Sequence, residues 1–450
     1  MDRHVHVETQ LLDAAAALIP EVLEARSIFP VYQPIMDLST GTVVAVEALA
    51  RGPAGSPVEF PGMLFAAATR AGKLESLDQL CVTRALEVAR DEGDVVPPLV
   101  FVNVEPTVLN VGPIAELQAA VRSERFRVVV ELTERGLADH PSGMLSVVNL
   151  ANQDGNAIAL DDVGTDPLSL AFLPLVEPDA VKLDMHLLRD PHAPGTIQAA
   201  TVVSGYAERS GAVVIAEGIE SEKDLATAQT LGARWGQGWL FGQPGPLNAI
   251  TRWPANRQAR LRATRPDTRL PSGNPYRVAA MRQPSRTGDK STVDGLTDYL
   301  LSQATRVGSP AVVLASCPDS AAGRALLQRL ASVADTAAYV GVIGTALEDD
   351  TAEHRIRVMT APSDEGSADT VLAVAGPHTT VALCIRPGSG DRVDFVLTHD
   401  PELVQTLARM LLWQLDTATP WLHPAGGPPR TSPVTSAHHR TSSPAQDHAP

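Results

Sequence analysis

The chain has 450 residues, of which 44% are hydrophobic and 20% are charged, and its formal net charge is −16. This length favours two or three globular domains, and an acidic balance without a Lys/Arg-rich block argues against DNA or RNA polymers as partners. The three widely spaced cysteines fit neither a disulfide framework nor a zinc site, and they favour a reducing cytoplasm. The N-terminal stretch does not resemble a signal peptide, and we expect no membrane span because no apolar run reaches about 18 residues.

The first part of the chain predicts a barrel. Residues 1–27 are expected to form an N-terminal helix. Between residues 28 and 248, eight short β-branched runs alternate with stretches that are apolar at helical spacing, which predicts an α/β fold of the (β/α)8 type. Only "DLSTGTV" separates the first two runs, so these two strands are expected to form an antiparallel hairpin.

The second part of the chain is less regular. Residues 249–290 are rich in Arg and Pro and predict a linker with solvated arginines. Residues 291–418 predict a smaller αβ domain, in which no strand ends in clustered acids. The Pro/Ser/Thr/His-rich residues 419–450 predict a disordered tail.

Polar side chains stand at the ends of most predicted barrel strands. In chain order they are Glu47, Asn103, Glu131 with Glu134, Asp161 with Asp162, Lys182 with Asp184, Glu217 and Gln237. The C-terminal ends of parallel barrel strands converge on one face, so we expect these side chains to meet there. Any single acid could merely cap an element or solvate a loop, but a converging set without cations would be costly.

The ligand types indicate which metal this face would hold. Carboxylate and amide oxygens without Cys or His suit Mg²⁺ or Mn²⁺ rather than zinc. Asp161 beside Asp162 would let one carboxylate bridge two ions while its neighbour holds the second. Two ions about 3.5–4 Å apart are the common device for in-line phosphodiester hydrolysis. Lys182 is then the natural cation beside the attacking water.

Seven motifs carry a family resemblance. They are "VYQPIMDLSTGTVVAVEALAR", "FVNVEP", "VELTE", "ALDDVGT", "DAVKLD", "IAEGIE" and "QGWLFGQP". In this order and spacing, residues 28–248 resemble an EAL domain, the family of cyclic-di-GMP phosphodiesterases. The resemblance implies a modified TIM barrel with an antiparallel first strand. It also implies that two Mg²⁺ or Mn²⁺ ions support hydrolysis of cyclic-di-GMP to linear pGpG in bacterial second-messenger signalling, in a homodimer formed through the barrel.

The resemblance also assigns roles to single residues. The first metal ion would be held by Glu47, Asn103, Glu131 and Asp161, and the second by Asp161, Asp162 and Glu217. Lys182 would assist deprotonation of the attacking water, and Glu134 would steady the loop after the fifth strand. The dinucleotide would be contacted by Gln33 and Arg51, with Asp184 and Gln237 supporting the site.

One loop departs from the family pattern. The family usually has "DDFGTGYSSL", whereas this chain has "DDVGTDPLSL". Asp166 replaces a glycine and is expected to adopt positive φ less freely, and Pro167 is expected to stiffen the residues after it. An inactive EAL domain that acts as a cyclic-di-GMP receptor is therefore the alternative, and a protein-interaction scaffold is a third possibility. Residues 291–418 resemble, more loosely, a DICT sensory domain that would bias activity, although a plain αβ oligomerisation domain would give much the same pattern.

Overall fold

The computed structural model describes residues 2–92, 96–110, 114–122, 125–133, 140–252, 254–263, 273–308, 310–317, 320–344, 356–360, 368–377 and 379–415. Eight strands of the first part form a closed ring in chain order. They are β1 (Val31–Asp37), β2 (Thr42–Leu49), β3 (Leu99–Asn103), β4 (Arg127–Leu132), β5 (Ala157–Val163), β6 (Ala180–Leu183), β7 (Val213–Ala216) and β8 (Trp235–Gln237). Strand β1 runs antiparallel to both β2 and β8, and the other neighbours pair parallel. The predicted modified TIM barrel with an antiparallel first strand is confirmed.

Helices surround this ring. Within the described residues they are α1 (Asp2–Ala16), α2 (Ile19–Glu24), α3 (Pro61–Arg70), α4 (Leu74–Asp91), α5 (Ile114–Val121), α6 (Pro141–Gln153), α7 (Pro167–Val176), α8 (Met185–Arg189), α9 (Pro194–Ser210) and α10 (Glu222–Thr230). In the described connections, two 3₁₀ helices occur at Pro106–Asn110 and Leu247–Arg252. Every helix in the described part of the chain is too short or too polar to cross a bilayer.

The segment after the barrel closes its lower end. Ala259 and Leu261 are buried in the same apolar cluster as inward-facing strand residues such as Phe101. Arg262 donates to Asp179 at 2.7 Å, and its side chain is only 15% exposed. The prediction that the arginines of 249–290 are solvated is therefore wrong for Arg262. This end of the barrel is therefore filled, and the C-terminal ends of the parallel strands form its open mouth.

A second, smaller αβ part comes after the barrel, as predicted. Its seven strands, in spatial order, are β12 (Ile356–Thr360), β11 (Tyr339–Gly344), β10 (Val312–Cys317), β13 (Thr370–Ala375), β14 (Thr380–Pro387), β15 (Arg392–Thr398) and β9 (Arg286–Asp289). Strands β9 and β12 were not predicted. They are the two edge strands, and β9 is largely exposed, so it carries no apolar signal.

Helices cover both faces of this sheet. They are α11 (Pro275–Arg282), α12 (Lys290–Val307), α13 (Ser320–Ala334) and α14 (Pro401–Gln414). Alternate residues of β10 point to opposite faces: Val313 packs with α12 and α13, whereas Val312 shares a cluster with α14 and the barrel helices. Helix α14 thus lies between the sheet and the barrel. The predicted domain boundaries stay predictions; residues 264–272 of the linker and the tail 419–450 lie outside the described residues.

Candidate metal centre at the barrel mouth

The structure brings the strand-end residues together around one lysine. The ammonium of Lys182 on β6 is fully buried. Its Nζ lies 2.7 Å from Glu131, 2.8 Å from Glu217, 3.0 Å from Asp161 and 3.4 Å from Glu47. Strands β2, β4 and β5 and the residue just after β7 thus supply one carboxylate each to a single cation, because the C-terminal ends of these strands meet at the mouth.

A second network links the amide side chains to the same carboxylates. Asn103 Nδ2 lies 3.1 Å from both Glu47 and Glu131, and Gln237 Nε2 donates to Glu47 at 2.6 Å and to Gln33 at 2.9 Å. The antiparallel register places Gln33 directly opposite Glu47, so the reversed first strand delivers its amide to the site. The two ends of an Asn amide differ only by a 180° rotation, and as a metal ligand Asn103 would present its Oδ1.

A β-bulge explains how neighbouring aspartates serve one site. Successive strand residues normally point to opposite faces. In β5 the pairing with β6 shifts between Leu160 and Val163, and Asp162 adopts a φ of +54°. The carboxylate oxygens of Asp161, Asp162 and Glu217 consequently lie within 4.8 Å of one another. A bulge that redirects a side chain is common beside active sites, and Asp tolerates the left-handed conformation better than most residues.

Burial and mutual repulsion of the clustered carboxylates favour their protonation or the binding of cations. Burial raises the pKa of Glu131 well above its usual value, with the charge of Glu47 acting in the same direction. Burial and neighbouring carboxylates raise the pKa of Asp162 to about 6 and that of Glu217 to about 8. Burial also opposes ionisation of Glu47, but Lys182 and the amide donors outweigh it and lower the pKa of Glu47. Lys182 stays charged because its carboxylate partners raise its pKa despite burial.

The altered loop after β5 is accommodated without strain at Asp166. Its φ is −124°, and its side chain accepts from the backbone N–H of Leu168 at 2.7 Å, which caps helix α7. Pro167 occupies the first turn of the helix, where a missing N–H costs nothing. The positive φ of this loop falls on Asp162 and Gly164 instead. Asp166 therefore needs no positive φ, and the expected disadvantage of replacing glycine does not arise at this position.

The remaining predicted residues occupy different positions. Asp184 lies just after β6 and accepts from His186 N at 2.7 Å, so it caps α8. Arg51 lies two residues beyond β2, where its guanidinium donates to Ala50 O at 2.7 Å. Glu134 lies outside the described residues.

One supporting residue was missed by the sequence analysis. Asp78 of α4 is 2% exposed and accepts from the backbone N–H of Glu105 at 3.0 Å, which holds the segment that comes after Asn103. The signal was present, because Asp78 stands between Leu77 and Cys81 on the buried stripe of its helix. An acid on an apolar stripe indicates a buried carboxylate with a specific partner.

A comparison with protein families identifies the barrel. The family model described as the EAL domain matches residues 16–244, about half of the chain. The chain therefore belongs to the EAL domain family.

Curated relatives share this part of the chain. The probable cyclic di-GMP phosphodiesterase PdeB of Escherichia coli is 29% identical over 248 residues, which cover 52% of this chain and 46% of PdeB. The cyclic di-GMP phosphodiesterase PA2567 of Pseudomonas aeruginosa is 31% identical over 239 residues, which cover 50% of this chain and 39% of that protein. The chain thus spans less than half the length of these relatives.

A solved EAL-domain structure aligns with about half of this chain. The EAL domain of FimX from Xanthomonas citri, solved in complex with c-diGMP, is 18% identical and aligns with a TM-score of 0.47. The alignment covers 54% of this chain and 97% of the FimX chain.

Proposed function

We propose that the barrel hydrolyses cyclic-di-GMP to linear pGpG with the help of two Mg²⁺ or Mn²⁺ ions. The observation that carries the proposal is the convergence of five carboxylates, from β2, β4, β5 and the end of β7, on one face around Lys182. Membership of the EAL family and the names of its curated relatives point to the same reaction.

The donor set fits two divalent cations. If all five carboxylates ionise, the single ammonium leaves four negative charges, which two divalent ions would balance. All candidate ligands offer oxygen, the donor that Mg²⁺ and Mn²⁺ prefer. Glu47, Asn103, Glu131 and Asp161 would hold one ion, and Asp161, Asp162 and Glu217 the other. When bound, such ions supply Lewis acidity and lower the pKa of water.

The protein's own groups have separate tasks in this reaction. Hydrolysis forms a bond from water oxygen to phosphorus, breaks one phosphorus–oxygen bond of the ring and transfers a proton to the departing ribose oxygen. Lys182 stays protonated, so it acts through its charge and not as a base. The carboxylates of Asp162 and Glu217 are partly exposed, so a water molecule can reach them and transfer a proton to them. Gln237 donates to Glu47 and to Gln33 and so fixes the orientation of Glu47. Both glutamines, with Arg51 and Asp184, would line the approach of the dinucleotide.

Single-turnover hydrolysis of cyclic-di-GMP tests the proposal. We expect wild-type protein to form pGpG in Mn²⁺ or Mg²⁺, and Glu47→Ala to form none because one ligand, which is also one of the four carboxylate partners of Lys182, is lost. Glu208→Ala is the matched control, because this glutamate lies exposed on α9. Hydrolysis by Glu47→Ala at the wild-type rate would refute the assignment. Tight binding without product, even in Mn²⁺, would make the barrel a receptor, the alternative that the sequence left open.

We also infer that residues 291–418 act as a regulatory, DICT-like sensory part. Support comes from the position of α14, which packs against barrel helices. The homodimer through the barrel and the cytoplasmic location stay predictions, and sedimentation of the purified chain with and without cyclic-di-GMP would decide the first.

A further inference from the structure

Helix α7 comes directly after residues 161–166, here called the metal loop, and it is apolar on every side. Eight of its ten residues are buried. An outer helix of a barrel normally keeps a polar face toward water. Here the second part of the chain covers that face: the ring of Phe172 meets the ring of Tyr339 edge-on at 5.6 Å, and α14 lies alongside.

The C-terminal end of α7 is capped from the second part. Arg409 of α14 donates through Nε to the carbonyl of Leu175 at 2.7 Å and through Nη2 to Glu177 Oε2 at 2.9 Å. The last carbonyls of a helix lack partners within it, and a cation there also suits the helix dipole. Arg409 and Glu177 are 17% and 21% exposed, so water screens this pair little.

The N-terminal end of α7 is tied to the metal loop. Ser169 Oγ accepts from Gly164 N at 3.3 Å and donates to Asp166 O at 2.7 Å, while Thr165 Oγ1 donates to Asp162 O at 3.1 Å. These bonds make the loop and the first turn of the helix one unit. The ten-residue helix is about 15 Å long, and although Pro174 removes one of its hydrogen bonds, eight buried residues hold it in place, so we expect a shift of one end to reach the other.

We propose that Arg409 is a positioning residue for Asp161 and Asp162. It anchors one end of α7 to the second part of the chain, and the helix holds the carboxylates at its other end. The consequence for metal binding rests on the proposed function, but the mechanical link does not. Regulation by the second part would then reach the mouth within one chain, along α7.

Hydrogen exchange read by mass spectrometry on the full chain tests the link directly. In Arg409→Ala we expect amides of residues 160–169 to exchange about tenfold faster, because the anchor of the helix is lost. Arg409→Lys keeps a cation with fewer directed donors, so we expect an intermediate rate. The matched control is Arg209→Ala, which removes another contact between the two parts, from α9 to Pro377 O at 3.3 Å, without touching α7.

The outcomes separate the alternatives. Unchanged exchange at 160–169 in Arg409→Ala, or an equal increase in Arg209→Ala, would overturn the proposal. If Arg409→Ala fails to fold, the rate in Arg409→Lys decides, and a wild-type rate there overturns it. Calorimetry with Mn²⁺ supplies the second readout, and we expect about fivefold weaker binding in Arg409→Ala, with wild-type affinity in Arg209→Ala. A wild-type chain that binds no Mn²⁺ would refute the metal site of the proposed function, and the exchange result would still settle the role of Arg409.

Discussion

Replacing Lys182 by Met tests the electrostatic account of the barrel mouth. The ammonium lies within 3.4 Å of four carboxylates and has no exposed surface. Removing one member of a buried charge set leaves the others uncompensated, which typically costs about 3–5 kcal/mol. We therefore expect Lys182→Met, which keeps the side-chain length, to lose about this much unfolding free energy at pH 8 in EDTA.

The ionisation of the carboxylates determines whether the cost of Lys182→Met rises or falls with pH. Lys182 is charged in both folded and unfolded chains below pH 10, so the window is set by the carboxylates. Burial raises the pKa of Asp162 to about 6 and of Glu217 to about 8, so both groups are mostly protonated at pH 5.5, whereas at pH 8 Asp162 is ionised and Glu217 is about half ionised. The ammonium stabilises only ionised partners, and the cost of its loss must therefore grow as pH rises from 5.5 to 8.

Urea unfolding followed by circular dichroism at the two pH values measures the difference. Lys223→Met is the control, because this lysine is exposed on α10 and its loss should change stability by less than about 0.5 kcal/mol. A Lys182→Met protein within about 1 kcal/mol of wild type at pH 8 would refute the reasoning. So would a cost that is larger at pH 5.5 than at pH 8.

Three further predictions concern the site and its supports. Mn²⁺ affinity measured by calorimetry should rise between pH 6 and 8, with release of at least one proton near pH 7, because Glu217 and Glu131, whose pKa values are both raised, must be ionised to bind the ions. Asp166→Ala should lower unfolding free energy by about 1 kcal/mol through loss of the cap on α7, whereas Asp166→Gly should cost only a few tenths. Arg262→Ala should cost about 3 kcal/mol in urea unfolding, because it leaves Asp179 buried without its cation, while Arg260→Ala should be nearly neutral.

The sequence predicted the barrel and its mouth because short local patterns indicate both. A run of three or four apolar residues that leads into Glu131, or into the pair Asp161 and Asp162, marks both the element and the face to which its end points. The short turn before β2 likewise specified the reversed first strand. Convergence of these ends is then a consequence of barrel geometry alone.

The features that the sequence did not reveal depend on distant partners. Arg262 pairs with Asp179 across 83 positions, and Arg409 reaches Glu177 across 232. Both arginines stand in stretches whose local pattern is also compatible with exposure to water. Edge strand β9 has no buried face, so no periodicity could indicate it. The sequence analysis placed Lys182 only beside the attacking water. The distances in the structure were needed to show that it is also the shared partner of four carboxylates.

The all-round apolar character of α7 has a consequence for how the two parts of the chain relate. Phe172 is fully buried, and it owes that burial partly to Tyr339 of the second part. Removal of the second part would expose this apolar face and uncover the C-terminal carbonyls that Arg409 caps. Residues more than 160 positions away thus cover and cap the helix that comes after the metal loop. Barrel and second part therefore share one buried cluster, and the order of the candidate metal centre depends on both.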